Sequence, residues 1–261
     1  MRHPISSYNP FFHAPRFAFG YEHLQDDTRI LDFGCHDAAF GRELLNYRRV
    51  QYYGVDKNRE AIARAPEGLV VKELEFPLPF PDGDFDAVMI FEVLEHIADQ
   101  DRVLRELFRV MKPGGMLLVS APRRHIFTFL DLANFKFMFP ALHRIYYTLT
   151  RSKKAWQERY ESNPNGLVGD IEKEKLWHQH FRDTEMRDLL ERNGFCIKEM
   201  DGAGLFSQVM TFVGYIFHLQ FLFPQGLRDW DNKTFHYATL LCAAYKPAGS
   251  VDNASMGGPR F

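Results

Sequence analysis

The sequence predicts a doubly wound α/β domain built on a mostly parallel sheet, and three observations carry that reading. Arg29-Ile-Leu-Asp-Phe-Gly34 is an apolar run that ends in an acid, turns at glycine and leads into a helix-like segment. About one βα unit later, Gln51-Tyr-Tyr-Gly-Val-Asp56 is a second strand-like run ending in an acid. Strand-like and helix-like segments then alternate as far as Pro122, the rhythm of a parallel sheet with helices on both faces.

Each element follows from its residues. Strand 29–33 leads to helix 40–47, and strand 52–55 to helix 59–64. A short strand is expected at 69–72. Strand 85–91 leads to helix 100–111, which Lys112-Pro-Gly-Gly115 should stop, because Pro cannot continue a helix and Gly turns the chain. Residues 116–120 form a further apolar strand. The rhythm is lost over 123–180 and resumes with helix 184–193, closed by Gly194, then strand 195–200. A long apolar connection, 201–235, precedes the last strand, 236–245. Residues 1–27 read as a partly helical leader rich in Phe and Tyr. The Gly-, Ser- and Asn-rich tail, 248–261, is expected to be disordered.

Composition narrows the function. The 261 residues are 46% hydrophobic, enough for one domain with a sizeable core. A net charge of −2 provides no concentrated basic face, so nucleic acid is not an expected partner. Three widely spaced cysteines form neither a disulfide framework nor a zinc pattern, and with no signal peptide at the start they point to a reducing, cytoplasmic setting.

The glycine turn after the first strand brings backbone N–H groups and a helix N-terminus to a ligand. An acid at Asp56 suits the two hydroxyls of a ribose. Asp32-Phe-Gly34-Cys-His36, Asp56 and Leu78-Pro-Phe-Pro-Asp-Gly-Asp-Phe-Asp86 together resemble the class I S-adenosylmethionine-dependent methyltransferases, of the type acting on small molecules and lipids. The resemblance continues through Phe91-Glu-Val-Leu-Glu-His96, Arg109-Val-Met-Lys-Pro-Gly-Gly115 and His180-Phe-Arg-Asp-Thr-Glu-Met186. It implies a Rossmann-like, seven-stranded sheet over residues 28–247, with S-adenosyl-L-methionine as cofactor. It also implies cofactor contacts from Asp32, Gly34, Cys35, His36, Asp56, Lys57, Glu73, Leu74, Phe91 and Glu92, with Glu75 as an alternative to Glu73. The chain departs from the family's three-glycine turn at His36 and Ala38, and an imidazole there would crowd the methionine end of the cofactor or bond to it.

Methyl transfer to an oxygen needs alignment and a base. His96, just past the fourth strand, and His178 and His180, ahead of the helix at 184, are the candidates, each weighed against a merely structural histidine. His-x-His can chelate, but no carboxylate or cysteine cluster completes a site in the sequence, so no metal is expected.

The chain is 15% aromatic, and much of this falls in the insertions 123–180 and 201–235. Phe127–Tyr147 interleaves Phe with Lys136 and Arg144, and Gly202–Leu227 contains no Asp, Glu, Lys or Arg. Within the latter, Ser207, Thr211, Gly214 and His218 trace a polar stripe on an apolar helix. That length is enough to cross a bilayer. A single crossing would, however, put strands of one sheet on opposite sides. The expectation is therefore a greasy lid over an apolar acceptor, touching the inner face of a membrane. Two other readings stay open: a sugar methyltransferase of surface-glycan synthesis, and a catalytically inactive subunit that binds a partner. The oligomeric state is not legible.

Overall fold

The computed structural model describes residues 13–161 and 178–249. Helix α1 (Pro15–His23) precedes β1 (Thr28–Phe33), α2 (Ala39–Leu44), β2 (Val50–Asp56), α3 (Arg59–Ile62), β3 (Val70–Glu73), β4 (Phe85–Phe91), α4 (Gln100–Val110) and β5 (Met111–Pro122). Then come α5 (Leu132–Met138), α6 (Pro140–Thr150), α7 (Lys153–Trp156), α8 (Asp183–Arg192), β6 (Cys196–Ala203), α9 (Ser207–Phe217), α10 (Gln225–Thr234) and β7 (Thr239–Tyr245). The strands form one seven-stranded sheet in the order β3-β2-β1-β4-β5-β7-β6. β7 runs antiparallel to both neighbours, and the other pairings are parallel.

The strands lie between two apolar layers, which is why they read as nearly continuous hydrophobic runs. Alternate residues face opposite sides. Leu31, Phe33, Val88 and Ile90 pack with Leu104 and Leu107 of α4 and Leu189 and Leu190 of α8. Ile30, Ala87 and Met89 pack on the other side with Phe19 of α1 and Phe40 and Leu44 of α2. Chain order reverses between β1 and β4. In open α/β sheets, ligands bind at the C-terminal strand ends beside such a reversal.

Several expectations need correction. Lys112–Gly115 is not a turn between a helix and a separate strand. β5 already starts at Met111, opposite Phe85, and the next partners are Ala87 and Met116, so the four residues bulge out of one continuous strand. The expected long apolar helix is shorter: Gly202 and Ala203 belong to β6, and α9 ends where His218 turns left-handed at φ +56. No helix among the described residues is long and apolar enough to cross a membrane. Of the leader, 1–12 lie outside the described residues, as do 250–261 of the tail.

The segment Leu78–Asp82 is held by α4. Arg109 donates to the carbonyls of Leu78 and Phe80 at 3.1 and 3.0 Å and pairs with Glu106 and Asp82, while Leu78 N–H donates to Glu106 Oε1 at 2.6 Å. The fork geometry of a guanidinium is needed to reach both carbonyls. Arg109→Ala should therefore destabilise the fold by about 2 kcal/mol, and Arg109→Lys should recover less than half of that. Urea unfolding that leaves the alanine variant as stable as the parent would refute this role.

Candidate active site

The turn after β1 is left-handed three times within five residues: Gly34 at φ +81, His36 at +52 and Ala38 at +56. A Cβ on Gly34 would also collide with the Val93 side chain, so only glycine fits there. His36 and Ala38 occupy a region that disfavours L side chains by about 1–2 kcal/mol per residue. The turn is fastened from β2. Gly34 and Cys35 N–H donate to Val55 O at 2.8 and 3.2 Å, and His36 N–H donates to Asp56 Oδ2 at 2.7 Å. Asp56 Oδ1 accepts Asn58 N–H at 2.7 Å. The cap of α3 comes from Asn58, whose side chain accepts the Ala61 N–H. Each Asp56 oxygen keeps a second lone pair.

His36 does not close this turn. Its side chain is half-exposed, with Nδ1 3.5 Å from Asp37. Cys35 is buried, and burial, then Asp32 and Asp56, push its thiol pKa up. Asp32 points to the α1–α2 side and accepts the Tyr52 hydroxyl at 2.7 Å. Burial outweighs that bond, and Asp56 adds repulsion, so the Asp32 pKa rises to about 7.

A hollow of about 30 Å³ lies over the strand ends, lined by Gly34, Asp56, Lys57, Leu74, Val93 and His96 among others. Glu73, expected to reach this ligand region, instead binds Arg59 Nε at 2.8 Å, and the Leu74 N–H donates to Asp56 O at 2.8 Å. Leu74 thus lines the hollow while its N–H is taken up by Asp56 O. Phe91 packs edge-on against Phe40. Glu92 has φ +56 and accepts Ser120 Oγ–H at 2.8 Å. Burial, then repulsion from Glu95, raises its pKa to about 7.

The three histidines chosen from sequence come together. The rings of His96 and His178 are 5.0 Å apart, and those of His178 and His180 5.5 Å. Two carboxylates that sequence reasoning missed join them. His178 Nδ1 lies 2.6 Å from Asp131 Oδ2, and Glu95 Oε1 lies 3.8 Å from Nε2 of both His96 and His178. Burial disfavours charge on His178, but Asp131 and Glu95 overcome it and hold its pKa up at about 9. His180 is more deeply buried, and burial lowers its pKa to about 4 against the pull of Asp131. The acids that could not be paired with His178 and His180 in the sequence are therefore present in space. Glu95 adjoins His96 and was within reach of inspection, whereas Asp131 carries no local signal.

Beyond this cluster the two insertions share an aromatic layer. Phe135 meets Phe212, Phe127 meets Phe206, and Tyr146 donates its hydroxyl to Tyr215 O. Between them is a cavity of about 510 Å³ lined by Leu132, Phe135, His143, Tyr147, Tyr215 and Ile216 among others. Outward, Leu142, Ile145 and Leu149 of α6 and Phe217 and Phe221 stay exposed, Leu149 by 82% and Phe221 by 75%.

The Asp32 environment has a measurable sign. With a folded pKa near 7 against 3.8 for a free side chain, folding is favoured while both states are protonated and loses up to about 1.4 kcal/mol per pH unit as the pH rises from 4 to 7. Above 7 the loss is complete and the curve is flat. Asp32→Asn should remove this slope in urea titrations at stepped pH; an unchanged slope would place the proton elsewhere.

The chain matches the family described as "Methyltransferase domain" over residues 11–199. A sterol 24-C-methyltransferase of Aspergillus fumigatus is 33% identical over 131 residues, covering 40% of this chain and 35% of the relative. A 2-methyl-6-phytyl-1,4-hydroquinone methyltransferase of Synechocystis is 32% identical over 123 residues, covering 44% of this chain and 39% of the relative. The matches thus span well under half of these relatives' lengths. In fold, the chain superposes on an S-adenosylmethionine-dependent methyltransferase from Mesorhizobium loti with TM-score 0.52 and 18% identity, covering 88% of this chain and 96% of that one. Sheet order, the left-handed turn tied to Asp56 and the family match over most of the sheet agree: this chain belongs to the methyltransferase domain family.

Proposed function

We propose that the chain binds S-adenosylmethionine over the ends of β1 and β2 and transfers its methyl group to an oxygen of a lipophilic small molecule or lipid, working at a membrane surface. One observation carries the reading. The hollow lined by Gly34 and Asp56 is also lined by His96, and His96 stacks near His178, which Asp131 ties to the first aromatic insertion. Cofactor cradle, candidate base and greasy cover thus meet at one point.

The residues fit the cofactor. Gly34 takes the left-handed turn that lets Val93 pack close beneath the strand end, and Asp56 has lone pairs left for the ribose hydroxyls. S-adenosylmethionine supplies an electrophilic methyl group when bound. Lys57 and Leu74 would hold the adenosine, the turn at Cys35 and His36 would hold the methionine, and Asp32, Phe91 and Glu92 would support them from behind. Glu73 would have to leave Arg59 to take part. The hollow holds about one water volume, so it would have to widen to take the cofactor. His96 takes the acceptor's proton, because it alone of the three histidines lines the hollow. His178 and His180 keep positions behind it. The acceptor's apolar body lies in the aromatic cavity, sheltered from water. The names of the sterol and phytyl-hydroquinone relatives support a lipophilic acceptor, and the sterol relative's name also specifies carbon as its target. The exposed Leu149, Phe217 and Phe221, with Arg151, Lys153 and Lys154 near the end of α6, suit an interfacial anchor.

Calorimetry with S-adenosylmethionine should give one site, weakened by roughly two orders of magnitude in Asp56→Ala. No heat with the parent chain would favour the inactive-subunit reading. Labelled cofactor with a lipid extract, followed by mass spectrometry, should place the methyl on oxygen, and His96→Gln should abolish that product. A C-methyl product or a methylated sugar would replace the acceptor assignment. In liposome flotation, Leu149, Phe217 and Phe221 changed together to Ser should leave the protein at the bottom of the gradient. If the parent chain itself fails to float, the membrane anchor is wrong.

A further inference from the structure

Asp131, His178 and His180 sit at one junction, where the first insertion meets the strap leading into α8. His178 and His180 are two apart on a strap outside any regular element, and both offer an imidazole nitrogen to the same carboxylate. Asp131 Oδ2 is 2.6 Å from His178 Nδ1 and 3.3 Å from His180 Nε2, and one ligand atom from each of the three lies within 4.8 Å of the others. We propose that these three side chains hold one divalent transition-metal cation of the zinc class, which pins the first aromatic insertion to the strap before α8.

The ligand set and its support both fit such an ion. Two imidazole nitrogens and one carboxylate oxygen suit zinc and its neighbours, whereas magnesium and calcium favour oxygen alone. Zinc bonds of about 2.0–2.1 Å put tetrahedral ligands about 3.3–3.4 Å apart. The Asp131–His180 edge already has that length. The Asp131–His178 edge opens by several tenths of an ångström as the ion replaces the proton there, which leaves to solvent.

The scaffold is stiff. Asn134, fully buried, clamps His178 from both sides, accepting its N–H at 2.9 Å and donating to its carbonyl at 2.8 Å. Phe181, next to His180, exchanges backbone bonds with Pro122 and Arg124. Asp131 uses its other oxygen to cap α5 through Ala133 N–H.

His180 is 2% exposed, so the nitrogen it turns toward Asp131 is held away from solvent. Gln208 of α9 places its carboxamide 3.1 Å from His180 Nε2, so the second insertion also reaches this junction. The other trio on His178, with Glu95 and His96, has edges of 3.8 Å, and His96 faces the hollow. The Asp131 trio is the tighter and better braced.

The test needs no methyl transfer, so it stands or falls apart from the proposed function. The full chain, stripped with chelator, is titrated with Zn²⁺ by calorimetry and melted with and without it. One equivalent should bind and the melting temperature should rise. His180→Gln and Asp131→Asn should each weaken binding roughly tenfold or more, while His96→Gln should leave it unchanged. X-ray absorption at the zinc edge of the parent chain, which does not depend on any variant folding, should find two imidazoles with oxygen donors. Absence of binding by the parent chain, sulfur or no imidazole in the absorption spectrum, or loss of binding through His96→Gln rather than His180→Gln, would each overturn the proposal.

Discussion

The site depends on how one carboxylate restrains a turn that its own residues resist. Between Gly34 and Ala38 the backbone enters the left-handed region three times, and two of those positions carry side chains. Local preference alone would let this segment relax. Asp56 prevents that by accepting the His36 N–H across from β2 and the Asn58 N–H within its own loop, while Val55 O takes Gly34 and Cys35. Charge-assisted bonds of this kind, made in a nearly dry place, are among the stronger polar contacts available to a chain. The strain at His36 and Ala38 is held by this tie, and the same tie fixes where a ribose would meet the carboxylate.

A second theme is the placing of charge where water is scarce. Glu95 and Glu92 lie beside His178, and burial raises Glu92 toward neutrality. His178 is held as a cation by Asp131 and Glu95 in spite of its own burial. Groups of opposite tendency a few ångströms apart are typical of functional centres and rare in purely structural cores. Here they lie where the sheet, the strap before α8 and the two aromatic insertions meet. The insertions therefore join the body through polar contacts as well as apolar ones, and movement in either insertion is linked to the histidines.

The aromatic layer explains the unusual phenylalanine content in two parts. Phe135, Phe127 and Phe206 are used inward, where ring pairs join one insertion to the other. Leu142, Ile145, Leu149, Phe217 and Phe221 are used outward and stay exposed. A core needs only the first set; the second is an apolar surface of the kind that marks contact with lipid or another protein.

Local patterning was enough to determine the sheet. Continuous apolar runs, acids at the ends of β1 and β2 and the glycine at 34 are properties of consecutive residues, so β1, β2, β4 and α4 are legible nearly to the residue. The same holds for the convergence of Gly34, Asp56 and His96 on one hollow, because strand ends in a doubly wound sheet meet at one edge. What the tertiary structure decided involves residues distant in sequence. Asp131 reaches His178 across 47 positions, and Glu73 turns away to Arg59 because that partner stands beside it on α3. β5 absorbs Lys112–Gly115 because its partner β4, rather than local propensity, sets where the strand runs. Periodicity records which way a residue faces; it holds no information about which distant residue it will face.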